Sequence, residues 1–430
     1  MRYKRPDNQL FVKNRQKLAT LLQPKSLAVL HANDIMPTNA DGTMPFIQNS
    51  DIFYLSGVDQ EESILVIFPD APEAKHREIL FLRETNEHIA IWEGAKLDKT
   101  QATEVSGIKT VYWLHEFETI FHKLMSQCDY VYLNSNEHNR AEVVVETRDA
   151  RFIRSCQMKY PLHKYERLTP LLTHLRAIKE PEEVALLQEA CNITEKGFRR
   201  ILNFVKPGVH EYEIEAEYVH EFIRNRSRGF AYTPIIASGA NACILHYVEN
   251  NAACQAGDLL LMDVGAEYAN YNADMTRTIP VSGRFTPRQK AVYNAVLNVY
   301  NFAKELLKPG TLILDEYHKA VGETMERELV GLNLLSMHDI RTQNPDMPAY
   351  KKYFMHGTSH HLGLAVHDVG DWFRPFTAGM VFTCEPGIYI PEENLGIRLE
   401  NDILLTTEGN INLMANIPIE AEEIEELMNA

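Results

Sequence analysis

The sequence predicts an α/β protein of two domains, a small mixed α/β domain followed by a larger domain built from two similar halves. Three observations support this fold class. A chain of 430 residues is long enough for two or three domains of about 150 residues each. Short β-rich runs alternate with helical stretches in the first part of the chain, and a helix that ends in Lys-Pro-Gly occurs twice in the second part.

The first domain is predicted from four β-rich runs and one helix. The runs are Ser26–Leu30, Ile64–Phe68, Glu78–Leu82 and Tyr130–Leu133, with a helical stretch at His115–Gln127. This alternation is typical of a mixed sheet covered by helices. A long helix then begins at Pro181, because proline followed by two acidic residues favours a helix N-terminus. We therefore expect domains at residues 1–174 and 175–430.

The second domain is predicted to contain an internal duplication. The helix from Pro181 runs into Lys-Pro-Gly at residues 206–208, and a helix that Thr286 and Pro287 begin runs into the same tripeptide at residues 308–310. Each is followed by a second helical stretch and then by strands that carry acidic residues. Because Pro-Gly is a common helix stop, the matching order of elements is the stronger signal. Two such halves would form a cleft between them.

Composition excludes several classes of function. The 43 basic and 59 acidic residues leave a net charge of −16, so we expect no nucleic-acid partner, which would require a basic face. No signal peptide is recognisable, and the most apolar run, Leu259–Met262, is too short to span a bilayer, so no membrane association is expected. Six scattered cysteines without a C-x-x-C pair indicate reduced thiols and a cytoplasmic protein.

Each half of the second domain offers two acidic residues on apolar strands. Asp263 follows a four-residue apolar run, and Asp274 lies at a distance that suits the neighbouring strand of a hairpin. In the second half, Glu385 also follows an apolar run, and Gly396–Glu400 is expected to be the partner strand. Most acids at strand ends are simply solvated. A buried carboxylate, however, needs a partner, because an unpaired buried charge costs several kcal/mol.

A histidine cluster supplies further potential ligands. His356, His360, His361 and His367 lie within twelve positions, and His246 lies in a separate apolar segment. A single histidine is more often a core or surface residue than a ligand, but beside four acids at least one is expected to bind metal. Four carboxylates would balance two divalent cations, which can polarise a bridging water for hydrolysis. Such an oxygen-rich set suits Mn²⁺, Co²⁺ or Fe²⁺ better than a structural Zn²⁺.

Two segments begin the zinc-binding pattern H-E-x-x-H without completing it. His210-Glu211 and His220-Glu221 are followed by Ile214 and Arg224 where the second histidine would stand, so no zincin motif is present. The sequence also contains no G-x-S-x-G elbow, P-loop or G-x-G-x-x-G stretch. The residues thus favour a dinuclear hydrolase.

In its motifs, the sequence resembles the aminopeptidase P and prolidase group of pita-bread metallopeptidases. Residues 46–57 are similar to the F-x-Q-N-S-D-F-x-Y-L-[ST]-G stretch of the family, the hinge helix resembles I-K-x-P-E-E, and Ser238–Tyr247 is similar to the strand with the first active-site histidine. The motifs D-x-G-x-x-Y, D-x-T-R-T, H-G-x-S-H-x-L-G, H-D-V-G, E-P-G-I-Y and G-I-R-x-E follow in order. The resemblance covers nearly the whole chain and implies a pita-bread domain behind a small N-terminal domain.

The resemblance implies five metal ligands, which are Asp263, Asp274, His360, Glu385 and Glu400. Asp274 and Glu400 would bridge two divalent ions, His360 would bind only one of them, and Glu385 would also shuttle a proton. Mn²⁺ is the expected metal, with Co²⁺, Fe²⁺ and Zn²⁺ as alternatives.

Four further site residues are implied by the resemblance. His246 and His367 would hold the scissile carbonyl and the leaving proline nitrogen, His356 would line the proline pocket, and Arg398 would support the acids or anchor the substrate. Three positions depart from the usual pattern and could alter the site, and these are Thr358, His361 and Asn401.

The activity implied by the resemblance is removal of the N-terminal residue from peptides with proline second. The alternative is prolidase, which cleaves only Xaa-Pro dipeptides, although prolidases usually carry glycine where Ser359 precedes His360. A non-catalytic pita-bread binding protein is the remaining alternative, yet such proteins typically lose ligands and all five are present. Related enzymes also lead us to expect a homodimer or homotetramer, in which exposed aromatics such as Trp92 could serve the cleft of a neighbour.

Overall fold

The computed structural model describes residues 2–430, which form two compact units, Tyr3–Arg176 and Ala177–Ala430. Both units mix helices with strands, so the predicted α/β class is confirmed. Within residues 2–430, none of the helices combines the length and the apolar character that crossing a membrane requires.

The first unit is built on a six-stranded mixed sheet. Its strands are β1 (Ser26–His31), β2 (Ile64–Ile67), β3 (Glu78–Leu82), β4 (Thr110–Trp113), β5 (Tyr130–Leu133) and β6 (Lys164–Arg167). The order is β4-β3-β2-β1-β5-β6, with antiparallel pairing among β1, β2 and β3 and parallel pairing elsewhere. The four predicted runs are therefore all strands. Every residue of the central strand β1 is buried.

The helices of this unit pack on the sheet or connect its strands. They are α1 (Asn8–Leu21), α2 (Ser50–Ser56), α3 (Glu87–Glu93), α4 (Lys99–Ser106), α5 (Phe117–Met125), α6 (Arg148–Lys159) and α7 (Thr169–Ala177). The predicted helix at His115–Gln127 corresponds to α5 and a preceding 3₁₀ turn. Its apolar residues Phe117 and Phe121 join the core beneath the sheet.

The second unit contains longer helices and shorter sheets. Its helices are α8 (Pro181–Phe204), α9 (Glu211–Arg224), α10 (Pro287–Leu306), α11 (Lys319–Gly331), α12 (Met337–Thr342) and α13 (Ala421–Met428). Its strands are β7 (Ile235–Ser238), β8 (Leu259–Val264), β9 (Glu267–Tyr268), β10 (Tyr271–Asn272), β11 (Met275–Pro280), β12 (Val381–Cys384), β13 (Gly387–Ile390), β14 (Leu395–Arg398), β15 (Asn401–Thr406) and β16 (Gly409–Asn412). A π-helical segment, Ile313–His318, leads into α11.

The same order of elements occurs twice in the second unit, as predicted. Helices α8 and α9 precede the sheet β11-β8-β7, and helices α10 and α11 precede the sheet β12-β15-β16. Proline is the first residue of both α8 and α10, where its missing N–H costs no helical hydrogen bond. Thr286 caps α10, since its hydroxyl accepts a hydrogen bond from the Gln289 amide.

The predicted pairing of Gly396–Glu400 with the strand before Glu385 is wrong. Strand β12 pairs instead with β15, and β14 pairs with β13 in a separate hairpin. Pro386 explains the difference, because it has no N–H for the ladder and ends β12. The chain therefore folds back twice. Since Cys384 pairs with Asn401, the neighbouring residues Glu385 and Glu400 are still brought close together.

The expectation that His246 lies on a strand is also wrong. Strand β7 ends at Ser238, and the chain continues as a 3₁₀ turn at Gly239–Cys243. His246 is exposed on the irregular loop that follows. The segment forms no strand, and it is held by side-chain hydrogen bonds and by Cys243, Leu245 and Tyr247, which pack against a buried cluster.

Candidate active site

The first pair of acids lies where β8 and β11 meet. Asp263 of β8 is paired with Thr276 of β11, and Asp274 immediately precedes β11. The Tyr232 hydroxyl lies 2.6 Å from Asp263 Oδ1 and 2.5 Å from Asp274 Oδ1. A single hydroxyl proton can serve only one of these carboxylates at a time, so the two acids share one protein donor.

The second half brings Glu400 to the same place. The Glu400 amide donates to the Thr276 carbonyl at 3.1 Å, and the Thr276 hydroxyl donates to Glu400 Oε2 at 2.6 Å. Side-chain ligand atoms of Asp274, His360 and Glu400 all lie within 4.8 Å of one another, and the three residues are buried. This cluster is the centre of the site.

His360 is oriented as a metal ligand would be. Its Nδ1 donates to the carbonyl oxygen of His361 at 3.0 Å, which leaves the lone pair of the neutral ring on Nε2. That nitrogen faces Asp274 Oδ2 at 3.4 Å and Glu385 Oε1 at 3.6 Å. In this tautomer the Nε2 lone pair faces two carboxylates, an arrangement that a cation between them would satisfy. The residues therefore fit a divalent metal ion.

Electrostatics lead to the same conclusion. Burial and the charge of Asp263 raise the pKa of Asp274 well above its usual range. Burial, with the charges of Asp274 and Glu385, does the same to the pKa of Glu400. Burial is also the main cause that raises the pKa of Glu385 to about 7. Carboxylates packed this closely ionise together only when cations compensate them.

Arg398 supports the acids through three contacts. Its Nη2 donates to Asp263 Oδ2 at 2.5 Å, its Nε to the Thr276 hydroxyl at 3.1 Å and its Nη1 to the Tyr389 hydroxyl at 2.8 Å. Tyr389 lies 2.8 Å from His356 Nε2, while His356 Nδ1 donates to a backbone carbonyl. Burial lowers the pKa of His356 to about 3. The imidazole is therefore neutral, and its Nε2 accepts a hydrogen bond from the Tyr389 hydroxyl. His356 Nδ1 also lies 3.6 Å from Glu385 Oε2.

The other two histidines border this cluster differently. The His367 ring meets the His360 ring edge-on, with centroids 4.5 Å apart, and His367 is exposed. His246 is also exposed, and its charge would influence His356. The structure thus gathers the five expected ligands, His356, His367 and Arg398, and it places His246 at the border.

Sequence reasoning missed several residues that hold the ligands. Thr276 and Tyr389 fall within the D-x-T-R-T and E-P-G-I-Y motifs, so a closer reading of those motifs could have found them. Tyr232 lies in no recognised motif, and only tertiary structure reveals it. Tyr317, in the π-helical segment, accepts a hydrogen bond from the Ser359 hydroxyl at 2.8 Å, beside His360.

The three residues that depart from the family pattern, Thr358, His361 and Asn401, each make defined contacts. The Thr358 carbonyl accepts from the Glu385 amide at 2.8 Å. The His361 ring packs on Phe382, with centroids 4.3 Å apart. Asn401 accepts from Arg277 Nη2 at 2.7 Å and donates to the Tyr300 hydroxyl at 2.7 Å. Buried Arg277 thus meets a neutral amide at position 401.

Comparison with known proteins agrees with this geometry. Residues 185–407 match the family model of metallopeptidase family M24, and residues 11–132 match that of the aminopeptidase P N-terminal domain. The chain is 37% identical to a Xaa-Pro aminopeptidase of Escherichia coli K12, with 98% of each chain covered. It is 30% identical to human Xaa-Pro aminopeptidase 3, with 96% of this chain and 84% of the human protein covered.

Solved structures give the same picture. Aminopeptidase PepP of Pseudomonas aeruginosa matches with a TM-score of 0.89 and 32% identity, covering 99% of this chain and 98% of that one. Zinc-substituted E. coli aminopeptidase P in complex with product matches with a TM-score of 0.87 and 36% identity, covering 99% of both chains. These matches confirm the expected pita-bread fold. The chain therefore belongs to metallopeptidase family M24 and carries the N-terminal domain of aminopeptidase P.

Proposed function

We propose that this protein is a metal-dependent Xaa-Pro aminopeptidase, which hydrolyses the first peptide bond of substrates with proline in second place. The observation that carries the proposal is the convergence of Asp274, His360 and Glu400 within 4.8 Å, with Glu385 3.6 Å from the same imidazole nitrogen. Two curated relatives with 35% and 37% identity over nearly the full chain bear the name Xaa-Pro aminopeptidase, which supports the substrate class.

We further propose a dinuclear site in which all five residues are ligands. Three contacts support this proposal. Asp274 shares the Tyr232 hydroxyl with Asp263, it lies 3.4 Å from His360 Nε2, and its ligand atom lies within 4.8 Å of those of His360 and Glu400. Four carboxylates would balance two divalent cations, which when bound would activate a water molecule for attack. Mn²⁺ is our expected metal, with Co²⁺, Fe²⁺ and Zn²⁺ as alternatives.

The proton-transfer role falls to Glu385 in this proposal. A bond before proline has a tertiary nitrogen, which must be protonated before it can leave as an amine. Glu385 would take the proton of the attacking water and deliver it to that nitrogen. His246 and His367 would orient the scissile carbonyl and the leaving nitrogen, while His356 and Tyr389 would form the neutral wall next to Glu385. The hydrogen bond from Arg398 Nη2 to Asp263 Oδ2 supports a role for Arg398 in holding Asp263.

The experiment compares matched peptides on Mn²⁺-loaded enzyme. We expect cleavage of Xaa-Pro-Yaa tripeptides and little cleavage of the Xaa-Ala-Yaa control. Preference for Xaa-Pro dipeptides over tripeptides would instead identify a prolidase. Absence of cleavage, together with less than about one bound ion per chain after gentle purification, would identify a binding protein, since hydrolysis of this kind depends on metal. Two ions per chain support the dinuclear site, and one ion contradicts it.

We also propose that the enzyme acts in the cytoplasm as a homodimer or homotetramer. All six cysteines are free thiols, which favours a reducing compartment. Trp92 is 77% exposed on α3, and large exposed aromatics are typical of interaction surfaces. Sedimentation at micromolar concentration tests this assembly, and a monomer would contradict it.

A further inference from the structure

Glu211, the first residue of α9, is fully buried and accepts hydrogen bonds from five neutral donors. Its Oε1 accepts from the Ser238 amide and hydroxyl, both at 2.7 Å, and from Asn241 Nδ2 at 3.2 Å. Its Oε2 accepts from the Tyr247 hydroxyl and the Ala252 amide, both at 2.8 Å. Protein donors therefore satisfy both oxygens of this buried side chain. This carboxylate is thus a local anchor.

The five donors all belong to one segment, the loop at residues 239–251 and its two flanking residues. Ser238 ends β7 where the loop begins, Ala252 follows the point where it ends, and Tyr247 lies within it. One carboxylate therefore joins both ends of the loop to its middle. The Glu211 amide adds a bond to the Ala252 carbonyl at 2.9 Å.

A second acid on the same helix face fixes the end of the loop. Asn250 Nδ2 donates to Glu215 Oε2 at 2.9 Å and to the Pro234 carbonyl at 3.1 Å, while Asn250 Oδ1 accepts from the Ile236 amide at 3.0 Å. Glu215 lies one helical turn after Glu211. The first two turns of α9 thus hold the loop against β7.

The loop carries His246 between Leu245 and Tyr247, which are partly buried and pack against a buried cluster that includes Tyr389. Ile244 is 54% exposed, Val248 is 49% exposed, and His246 itself is exposed. An exposed side chain is positioned by its backbone, and here the backbone is fixed through Tyr247, the next residue. We propose that Glu211 is a positioning residue that sets the place of His246 at the active site. The inference rests on the proposed function, in which His246 contacts the substrate.

This role also explains the incomplete H-E-x-x-H pattern at residues 210–214. His210 lies at the helix N-cap, where its ring is partly exposed beside Glu213. Glu211 points the other way, into the protein. The two residues therefore have separate roles, and neither belongs to the metal cluster.

A double-mutant cycle on the Mn²⁺-loaded enzyme tests the proposal. The variants are Glu211→Gln, His246→Ala and the double variant, with exposed Glu213→Gln as the matched control. We expect kcat/KM for a Xaa-Pro-Yaa tripeptide to fall about 10²-fold in His246→Ala and about tenfold in Glu211→Gln, with the double variant no worse than His246→Ala alone. Losses that multiply in the double variant would mean that Glu211 acts independently of His246, and would overturn the proposal.

Hydrogen exchange provides a readout that does not depend on activity. Amides of residues 239–251 should exchange faster in Glu211→Gln than in wild type, whereas Glu213→Gln should match wild type. Unchanged exchange in Glu211→Gln contradicts the anchoring role even if the wild type cleaves no Xaa-Pro peptide, so the two proposals fail separately. If Glu211→Gln does not fold, Tyr247→Phe replaces it, since it removes a single hydroxyl. Its smaller loss of kcat/KM should likewise vanish in the His246→Ala background.

Discussion

Lys179 and Asp368 form an ion pair in which both side chains are 1% exposed, with Lys179 Nζ 3.2 Å from Asp368 Oδ2. Asp368 directly follows His367, and its amide donates to the His361 carbonyl at 2.9 Å. A Cβ on Gly363 would lie 2.2 Å from Asp368 Oδ2, so glycine is required beside the pair. The pair therefore ties the segment before α8 to the loop that carries His367.

Breaking this pair should destabilise the protein strongly. We expect Lys179→Met to lower the free energy of unfolding by about 3–5 kcal/mol, because it removes one partner of a buried ion pair. The matched control is Lys159→Met, whose partner Glu118 is exposed, and such surface pairs contribute about 0–1 kcal/mol. Urea unfolding measures both. An equal effect in the two variants would show that the buried pair contributes no more than a surface pair.

Replacing Glu385 by glutamine should nearly abolish turnover. General acid–base assistance contributes about 10²–10⁴-fold, so retention of more than roughly a tenth of the wild-type kcat would exclude the proton-transfer role. Glu392→Gln is the control, because Glu392 is exposed in the turn between β13 and β14. Metal content measured on the same samples separates loss of the ion from loss of proton transfer.

Asp274 should lower the Tm of the metal-free protein and should be required for the increase in stability that metal binding causes. Burial and neighbouring charge raise the pKa of Asp274, so at neutral pH its ionised form is costly without a cation. We expect Asp274→Asn to raise the Tm of the metal-free protein. In the wild type, Mn²⁺ at about 100 times its Kd should stabilise the fold by about 2.7 kcal/mol. The variant should lose most of this gain, whereas the exposed control Asp315→Asn should keep it. A full metal-induced shift in Asp274→Asn would contradict its assignment as a ligand.

A buried carboxyl group that is not one of the proposed metal ligands should make the free energy of unfolding depend on pH. Glu183 of α8 accepts from the Tyr271 hydroxyl at 2.8 Å and from the Glu180 amide at 2.9 Å, and burial raises its pKa to about 7 from a model-compound value of 4.5. Between these two pH values the folded state binds more protons than the unfolded state. The contribution of Glu183 to the free energy of unfolding therefore falls as the pH rises, and this contribution levels off above about pH 7.

Glu183→Gln removes this titration and tests the sign. The Tm of the variant relative to wild type should increase from about pH 5 to about pH 7 and then stay constant, in metal-free protein monitored by differential scanning fluorimetry. Glu182→Gln, an exposed neighbour, should show no such trend. A relative Tm that declines over this range would mean that Glu183 has its pKa lowered by its partners.

A local signal marks two of the proposed ligands, whereas the full set of five is implied only by the resemblance to the family. Asp263 and Glu385 come directly after apolar runs, and such runs mark buried strands whatever their partners are. Pairing is less local. The sequence suggested that Gly396–Glu400 pairs with the strand before Glu385. Pro386 ends that strand, β12, which pairs with β15 instead.

The loop of His246 shows a second limit of sequence reasoning. Its apolar residues favour a strand when they are considered alone, yet Ile244 and Val248 are half exposed. Glu211, whose carboxylate accepts hydrogen bonds from this loop, lies more than thirty positions before His246 and carries no sign of this role in the sequence. The role of Tyr232 is hidden in the same way, because its hydroxyl contacts Asp263 and Asp274 only in the folded protein. Long-range side-chain anchors of this kind depend on the tertiary fold.

The division of the proposed ligands between the two halves has a consequence for biosynthesis. A chain emerging from the ribosome exposes Asp263 and Asp274 first, and two carboxylates alone hold a divalent ion weakly. His360, Glu385 and Glu400 follow only after α10 and α11 have been made. Because an unfolded chain rarely contains a preformed metal site, this proposed ligand set would be complete only after β15 has paired with β12. Newly made protein would therefore meet the cellular metal pool as a nearly finished fold, and the folded arrangement of the ligands, rather than a flexible chain, would select the metal.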